Sequence, residues 1–290
     1  MPKGKLLIIG GAEDKGPIRN PPLMKIKNRN YVDYDILSHL IFKNDPDNNR
    51  IEIVTTASQQ PLLTGRTYVR SFKKAGHSNV GYISIENKED LKDPDHVERI
   101  KKARVVFFSG GDQYRLTSIL LNSHFLETVF QRYEDEPDFV LAGTSAGAMA
   151  MSEHMIFHAE NNEAMLKGHV KVTRGFSKLK NCIVDTHFAK RGRYGRLFQA
   201  VLMNEGSYGL GLGEDTGLLI EDARLATCVG SGMVIVVNQS EVRYHNKNEL
   251  ELDEPISVEN LQISALTRGD QLDLSTLRVV PKTALTPQSR

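Results

Sequence analysis

Cysteine is scarce in this sequence: Cys182 and Cys228 stand alone, with neither a CxxC spacing nor a metal-like cluster around them. One potential disulfide is not a framework, so a disulfide-stapled secreted fold is excluded, no metal or other cofactor is implied, and a reduced cytoplasm is the expected compartment. Long hydrophobic runs are missing too. The N-terminal MPKGKLLIIGG has a basic start but only Leu6–Ile9 as an apolar run, too short for a signal-peptide core or a membrane span. Net charge is nearly absent, with 37 Lys and Arg against 36 Asp and Glu. No global field therefore draws in nucleic acid or an anionic membrane, and charge-based recognition must be local. No repeat, low-complexity tract or Pro- or Ser-rich linker divides the chain, so residues 1–290 are read as one domain whose polar last fifty or so residues form an edge or interface extension.

What is present is a core-forming pattern. Hydrophobic residues make up 40% and charged residues 25% of the chain, as in a soluble globular protein. In the first half, short β-branched runs (Lys5–Ile9, Arg50–Thr55, Val80–Ile85, Arg104–Phe108, Phe139–Ala142) alternate with helical patterns over Tyr31–Phe42, Leu62–Ala75, Pro94–Lys101 and Tyr114–Tyr133. That alternation predicts parallel βαβ units, hence an α/β fold with a doubly wound, mostly parallel sheet and helices on both faces. The second half is richer in strands: Lys180–Val184, Gly217–Ile220, Leu225–Val229 and Met233–Val237, with Gly206–Gly213 supplying turns and Arg191–Met203 a helix.

Ligands of such sheets bind beyond the carboxyl ends of the strands. Four of those ends are unusual: Gly10-Gly11-Ala12-Glu13, Gly110-Gly111-Asp112-Gln113, Gly143-Thr144-Ser145-Ala146-Gly147 and Asp185-Thr186-His187-Phe188. A strand, then Gly-x-Ser-x-Gly, then a helix is the nucleophile-elbow pattern, and it singles out Ser145; a simple helix N-cap is the structural alternative. A serine needs a base, and the base needs an orienting acid. Of nine histidines, His187 alone follows a strand at its carboxyl end. His39, His77, His96 and His124 read as solvated, and His154 and His158 in HMIFH as ordinary helix or loop residues without the glutamate of HExxH. Glu214, after a glycine-rich turn, is the candidate acid, with Asp215 its neighbour and rival. The resulting order Ser, His, acid is not that of α/β-hydrolases.

The Ala146 amide and the Gly110–Gly111 corner are candidate oxyanion donors. Beside His187 lies a basic cluster, Lys190, Arg191, Arg193 and Arg196 in AKRGRYGRLFQ, which on an almost neutral chain points to an anionic substrate group.

Taken together, IIGGAED, FFSGGDQYRL, LAGTSAGAMAMS, VDTHFAKRGRYGRL, GLGEDTGLLI and LTRGDQLDL, in that order, resemble the cyanophycinase-like serine peptidases of the aspartyl-dipeptidase (peptidase E) superfamily. The resemblance spans nearly the whole chain. It implies a flavodoxin-like fold, a homodimer, Ser145 as nucleophile, His187 as base then acid, Glu214 as its orienting partner, and a substrate pocket containing Gln113, Asp185, Thr186, Arg191, Arg193 and Arg196. It implies cyanophycin, a poly-aspartate with arginine amide-linked to each β-carboxyl, or β-linked Asp-Arg peptides as substrate. Thr186 stands where the family commonly has Gln, which puts one substrate contact in doubt. An aspartyl or isoaspartyl dipeptidase on the same scaffold and a non-catalytic binding module are the competing expectations.

Overall fold

The computed structural model describes residues 1–16, 28, 31–42, 45, 48–160 and 165–280. In chain order the first strands are β1 (Lys5–Ile9), β2 (Arg50–Val54), β3 (Val80–Ile83), β4 (Ala103–Phe108) and β5 (Val140–Thr144). Helices α1 (Asp35–Ser38), α2 (Pro61–Lys74), α3 (Pro94–Lys102), α4 (Gln113–Leu120) and α5 (His124–Asp135) connect them, and α6 (Ala146–Ala150) follows β5. Then come β6 (His154–Ala159), β7 (Val170–Arg174), β8 (Cys182–Asp185), α7 (Tyr194–Met203), β9 (Tyr208–Leu212), β10 (Thr216–Glu221), β11 (Leu225–Gly230) and β12 (Met233–Asn238). The last described strands are β13 (Tyr244–His245), β14 (Val258–Glu259), β15 (Gln262–Thr267), β16 (Gln271–Asp273) and β17 (Arg278–Val280).

Two sheets carry the fold. A nine-stranded sheet runs β17-β16-β11-β10-β1-β5-β4-β2-β3, with β1, β5, β4, β2 and β3 mutually parallel and β10 onward antiparallel. A four-stranded sheet runs β15-β12-β9-β8, and in it β8 and β9 are parallel. Alternate residues of the parallel strands feed opposite faces. Leu7, Ile9, Ile51, Ile53, Val105 and Phe107 pack under Ile36 and Leu37 of α1 and Tyr68 and Phe72 of α2. Leu6, Ile8, Val54, Val106 and Phe108 pack under α3, α4 and α5, in one core with the inner face of the second sheet. This is the α/β, flavodoxin-like class that the sequence predicts, with both faces of the parallel strands buried.

Several local expectations change. Gly206–Gly213 is not a run of turns: β9 occupies most of it, buried throughout. Its glycines are there for packing, because a Cβ on Gly211 would come within 2.6 Å of the Phe188 ring and one on Gly209 within 2.9 Å of Val201. The expected Tyr114–Tyr133 helix is two helices, broken where Asn122 takes φ 61° and Ser123 caps the second through the Leu126 amide. The Tyr31–Phe42 pattern reduces to the single turn of α1, although Ile36, Leu37 and Leu40 are buried as its stripe requires. HMIFH forms β6 rather than helix or loop, and His77 is fully buried, its Nε2 2.8 Å from the Asn49 carbonyl oxygen. Of the polar C-terminal stretch, β15 edges the second sheet and β16 and β17 edge the first.

Candidate active site

Ser145 sits on the turn from β5 to α6 with φ 51° and ψ −112°, a region that residues with a Cβ adopt only when their surroundings impose it. The surroundings are backbone. The Ser145 amide donates to the Ile9 carbonyl at 2.9 Å, its carbonyl accepts from the Met149 amide at 2.9 Å, and a Cβ on Gly143 would lie 2.5 Å from Gly147. A Cβ on Gly147 would in turn strike the Phe108 carbonyl. The two glycines of the motif are thus the condition for β4, β5 and α6 to approach closely enough to hold the serine in this turn.

His187 arrives from the other sheet, just beyond β8, also with positive φ (49°), and its amide donates to the Gly10 carbonyl at 2.8 Å. Its ring lies against the backbone of Gly11, where a Cβ would come within 2.5 Å of Cε1 and Nε2. Gly11 has φ 94°, so both space and conformation require glycine there. Glu214 lies in the crossing from β9 to β10. The next residue, Asp215, anchors that crossing by donating its amide to the Gly11 carbonyl and by accepting from the Asp14 amide and the Ser231 hydroxyl. Asp215 is thereby occupied as a structural tie.

These constraints bring Ser145 Oγ to 3.1 Å from His187 Nε2, and His187 Nδ1 to 2.8 Å from Glu214 Oε1. The second oxygen of Glu214 accepts from Lys190 Nζ at 2.7 Å. Burial of Glu214 favours its neutral form, but the hydrogen bonds from Lys190 and His187 and their charges outweigh it and hold the carboxyl below its ordinary range. An ionised Glu214 fixes the imidazole with Nδ1 protonated and Nε2 free to accept the serine proton.

On the other side of the serine, Gly110 follows β4 so closely that a Cβ there would lie 3.3 Å from Ser145 Cβ. Gly111, at φ 146°, is pressed onto the Ala57 carbonyl. Among the described residues, the amides of Gly110, Gly111 and Ala146 have no acceptor, as donors awaiting an oxyanion require.

The remaining expected pocket residues divide. The Gln113 amide group donates one N–H to the Ile156 carbonyl at 2.8 Å, tying α4 to β6 and leaving its oxygen and second N–H open among the described residues. Asp185 is fully buried: Arg196 Nε donates to Oδ2 at 2.6 Å, Arg196 Nη2 and Arg193 Nη1 donate to Oδ1, and so does the Thr186 amide at 2.8 Å. Arg193 also donates to the Thr186 carbonyl at 2.9 Å. Burial pushes the Arg193 guanidinium down to about 10 against the pull of Asp185, with Arg196 and Arg191 adding repulsion, so it stays a cation at neutral pH. Arg193 and Arg196, expected in the substrate pocket, thus direct much of their charge to Asp185. Thr186 is also buried, and its hydroxyl has no partner among the described residues. Arg191 is exposed and its guanidinium makes no hydrogen bond or ion pair among the described residues.

Three residues of this site went unassigned in the sequence reading. Gly11 was visible as half of a glycine pair at a strand end. Lys190 was visible only as one charge in a basic run. Glu13, buried and accepting from Thr144 Oγ1 at 2.7 Å and from the Tyr68 hydroxyl, carries no signal beyond its place after that glycine pair. Among the described residues, no group of three or more His, Cys, Asp or Glu side chains is arranged to hold a metal ion, and no helix is long and apolar enough to cross a membrane.

Comparison with known proteins places this arrangement in context. Residues 27–228 match the model of peptidase family S51. The chain is 31% identical over 279 residues to a cyanophycinase of Nostoc sp. (strain PCC 7120), covering 96% of this chain and 88% of that one. It is 28% identical over 274 residues to a cyanophycinase of Geminocystis herdmanii, covering 94% and 95%. Among solved structures, a peptidase from an acI-B1 actinobacterium superposes with a TM-score of 0.59 at 21% identity, over 93% of this chain and 96% of that one, which shows a shared fold.

Proposed function

The chain belongs to peptidase family S51 and is a serine-type hydrolase, and from that premise we propose that it degrades cyanophycin to β-Asp-Arg dipeptides with Ser145, His187 and Glu214 as its catalytic residues. The observation that carries the proposal is the unbroken hydrogen-bond chain from Ser145 Oγ through His187 to Glu214, built on a chain alike over nearly its whole length to proteins named cyanophycinase.

In this reading His187 Nε2 takes the hydroxyl proton as Ser145 Oγ attacks a backbone carbonyl carbon of the poly-aspartate. The carbonyl π pair moves to oxygen, and the oxyanion is met by the amides of Ala146 and the Gly110–Gly111 corner. Collapse of the tetrahedral intermediate breaks the C–N bond, and His187 gives its proton to the departing amine. Water, deprotonated by His187, then attacks the acyl-enzyme; the ester bond breaks, Ser145 Oγ recovers its proton, and the dipeptide leaves with a free carboxylate. Glu214 stabilises the imidazolium at both stages without itself accepting the proton. Each repeat of the polymer carries a free carboxylate, and Arg191 is the guanidinium of the basic segment most available to hold one. Residence in the cytoplasm and a homodimeric state belong to the same proposal; sedimentation of the purified protein tests the latter.

The deciding experiment is mass spectrometry of the protein incubated with insoluble cyanophycin, beside Ser145→Ala. Release of β-Asp-Arg by the wild type alone supports substrate, reaction and nucleophile together. Hydrolysis of Asp-X or isoaspartyl dipeptides without any attack on the polymer assigns a dipeptidase instead, and wild-type turnover by Ser145→Ala removes the serine mechanism.

A further inference from the structure

We propose that Lys190 is a positioning residue for the catalytic base: by holding one oxygen of Glu214, its ammonium shares that carboxylate with His187 and weakens the carboxylate's pull on an imidazole proton. The inference rests on the Ser145–His187–Glu214 reading above.

A carboxylate bound to a histidine stabilises the imidazolium and so favours a protonated base, which cannot take the serine proton. Here the carboxylate is shared. Glu214 Oε1 receives His187 Nδ1 at 2.8 Å while Oε2 receives Lys190 Nζ at 2.7 Å, so a cation and the imidazole compete for one negative charge. The other charged groups around His187 are tied into the protein or face solvent. Asp185 on β8 is neutralised by Arg193 and Arg196. On the loop after β1, Glu13 is paired with Lys15 at 3.0 Å and Asp14 is tied to backbone amides. Asp215, beside Glu214, is engaged by Asp14 and Ser231, and Arg191 points its charge to solvent from the turn after His187. The Lys190–Glu214 pair is the adjustable term, because the lysine side chain is 69% exposed and can be changed without opening the core.

Removing the ammonium deletes a positive charge near the imidazole and frees Glu214 for it, so both effects raise the affinity of His187 for a proton. For an exposed pair screened by water the rise is about half a pH unit. The test measures the rate of fluorophosphonate labelling of Ser145 against pH, and in parallel follows the His187 ring by NMR titration, assigned with His187→Gln. In Lys190→Met both midpoints should move up by about half a pH unit, giving about threefold slower labelling on the acid side and an unchanged plateau on the alkaline side. Lys190→Arg should titrate as the wild type does. Unmoved midpoints in Lys190→Met, or an equal loss at every pH, would overturn the proposal. Failure of the triad reading looks different: the wild type would not label, or Ser145→Ala would label equally, while the NMR titration still reports whether Lys190 sets the state of His187.

Discussion

Glu214 and Asp185 are both carboxylates set close to His187 and both bind cations, yet they are built in opposite ways. Asp185 is fully buried and both of its oxygens are held by the Arg193 and Arg196 guanidiniums, within one connected segment of chain. Glu214 keeps a quarter of its side chain exposed and divides its oxygens between His187 and the exposed Lys190. A buried ion pair is costly to form and costlier to break, so it fixes shape. A half-exposed pair costs little and yields to its neighbours, so it can adjust a charge without endangering the fold.

The comparison predicts opposite phenotypes, and the largest belongs to Glu214. Glu214→Gln removes the charge that steadies the imidazolium and offers an amide N–H where an acceptor is needed, so turnover and fluorophosphonate labelling should fall roughly 10²- to 10⁴-fold while stability changes by less than about 1 kcal/mol. A loss under tenfold breaks the assignment of Glu214. Asp185→Asn should do the reverse first: two half-buried guanidiniums lose their fully buried counter-charge, and unfolding in denaturant should show a loss of about 2 to 4 kcal/mol. Adding Arg196→Met to Asp185→Asn should return part of that loss, whereas a single variant as stable as the wild type would place Asp185 among the substrate contacts after all.

Glu13 sharpens the contrast as a third, buried carboxylate with a smaller effect. Burial alone would favour its neutral form, but Lys15, with the hydroxyls of Tyr68 and Thr144, outweighs that and holds it below the ordinary carboxylate range. Because the folded-state value is lowered, its stabilisation is complete above the unfolded carboxyl's value of about 4.3 and is lost as pH falls through the lower folded one. Glu13→Gln should therefore cost about 1 to 3 kcal/mol at neutral pH, with the gap to wild type closing only below about pH 4 in equilibrium melts. A penalty independent of pH would mean that Glu13 acts through shape alone.

The sequence shows the parallel strands because residues such as Leu6–Ile9 and Val105–Phe108 are apolar on both faces, and it shows the strand-end residues because glycines cluster where backbone meets backbone. It hides β9, since the glycines that read as turns at Gly209 and Gly211 exist to admit Val201, Leu197 and Phe188 from other elements. It also hides the fate of the arginines. Asp185 stands only 8 and 11 residues from Arg193 and Arg196, but charge spacing alone does not reveal that a strand end and the following helix bring them together in the interior. Lys190 is obscured for the same reason, its partner being 24 residues further on in another crossing.

His187 extends from β8 of the four-stranded sheet, whereas Ser145 extends from β5 of the nine-stranded one, and the His187 amide is pinned to Gly10, 177 residues earlier in the chain. Neither sheet alone holds both members of the Ser145–His187 pair. In the triad proposed above, the Ser145 hydroxyl gains its base only once the two sheets have docked. Reactivity toward an active-site probe is thus a stopwatch for that docking, and an inhibitor-sized molecule added during refolding captures only chains that have completed it.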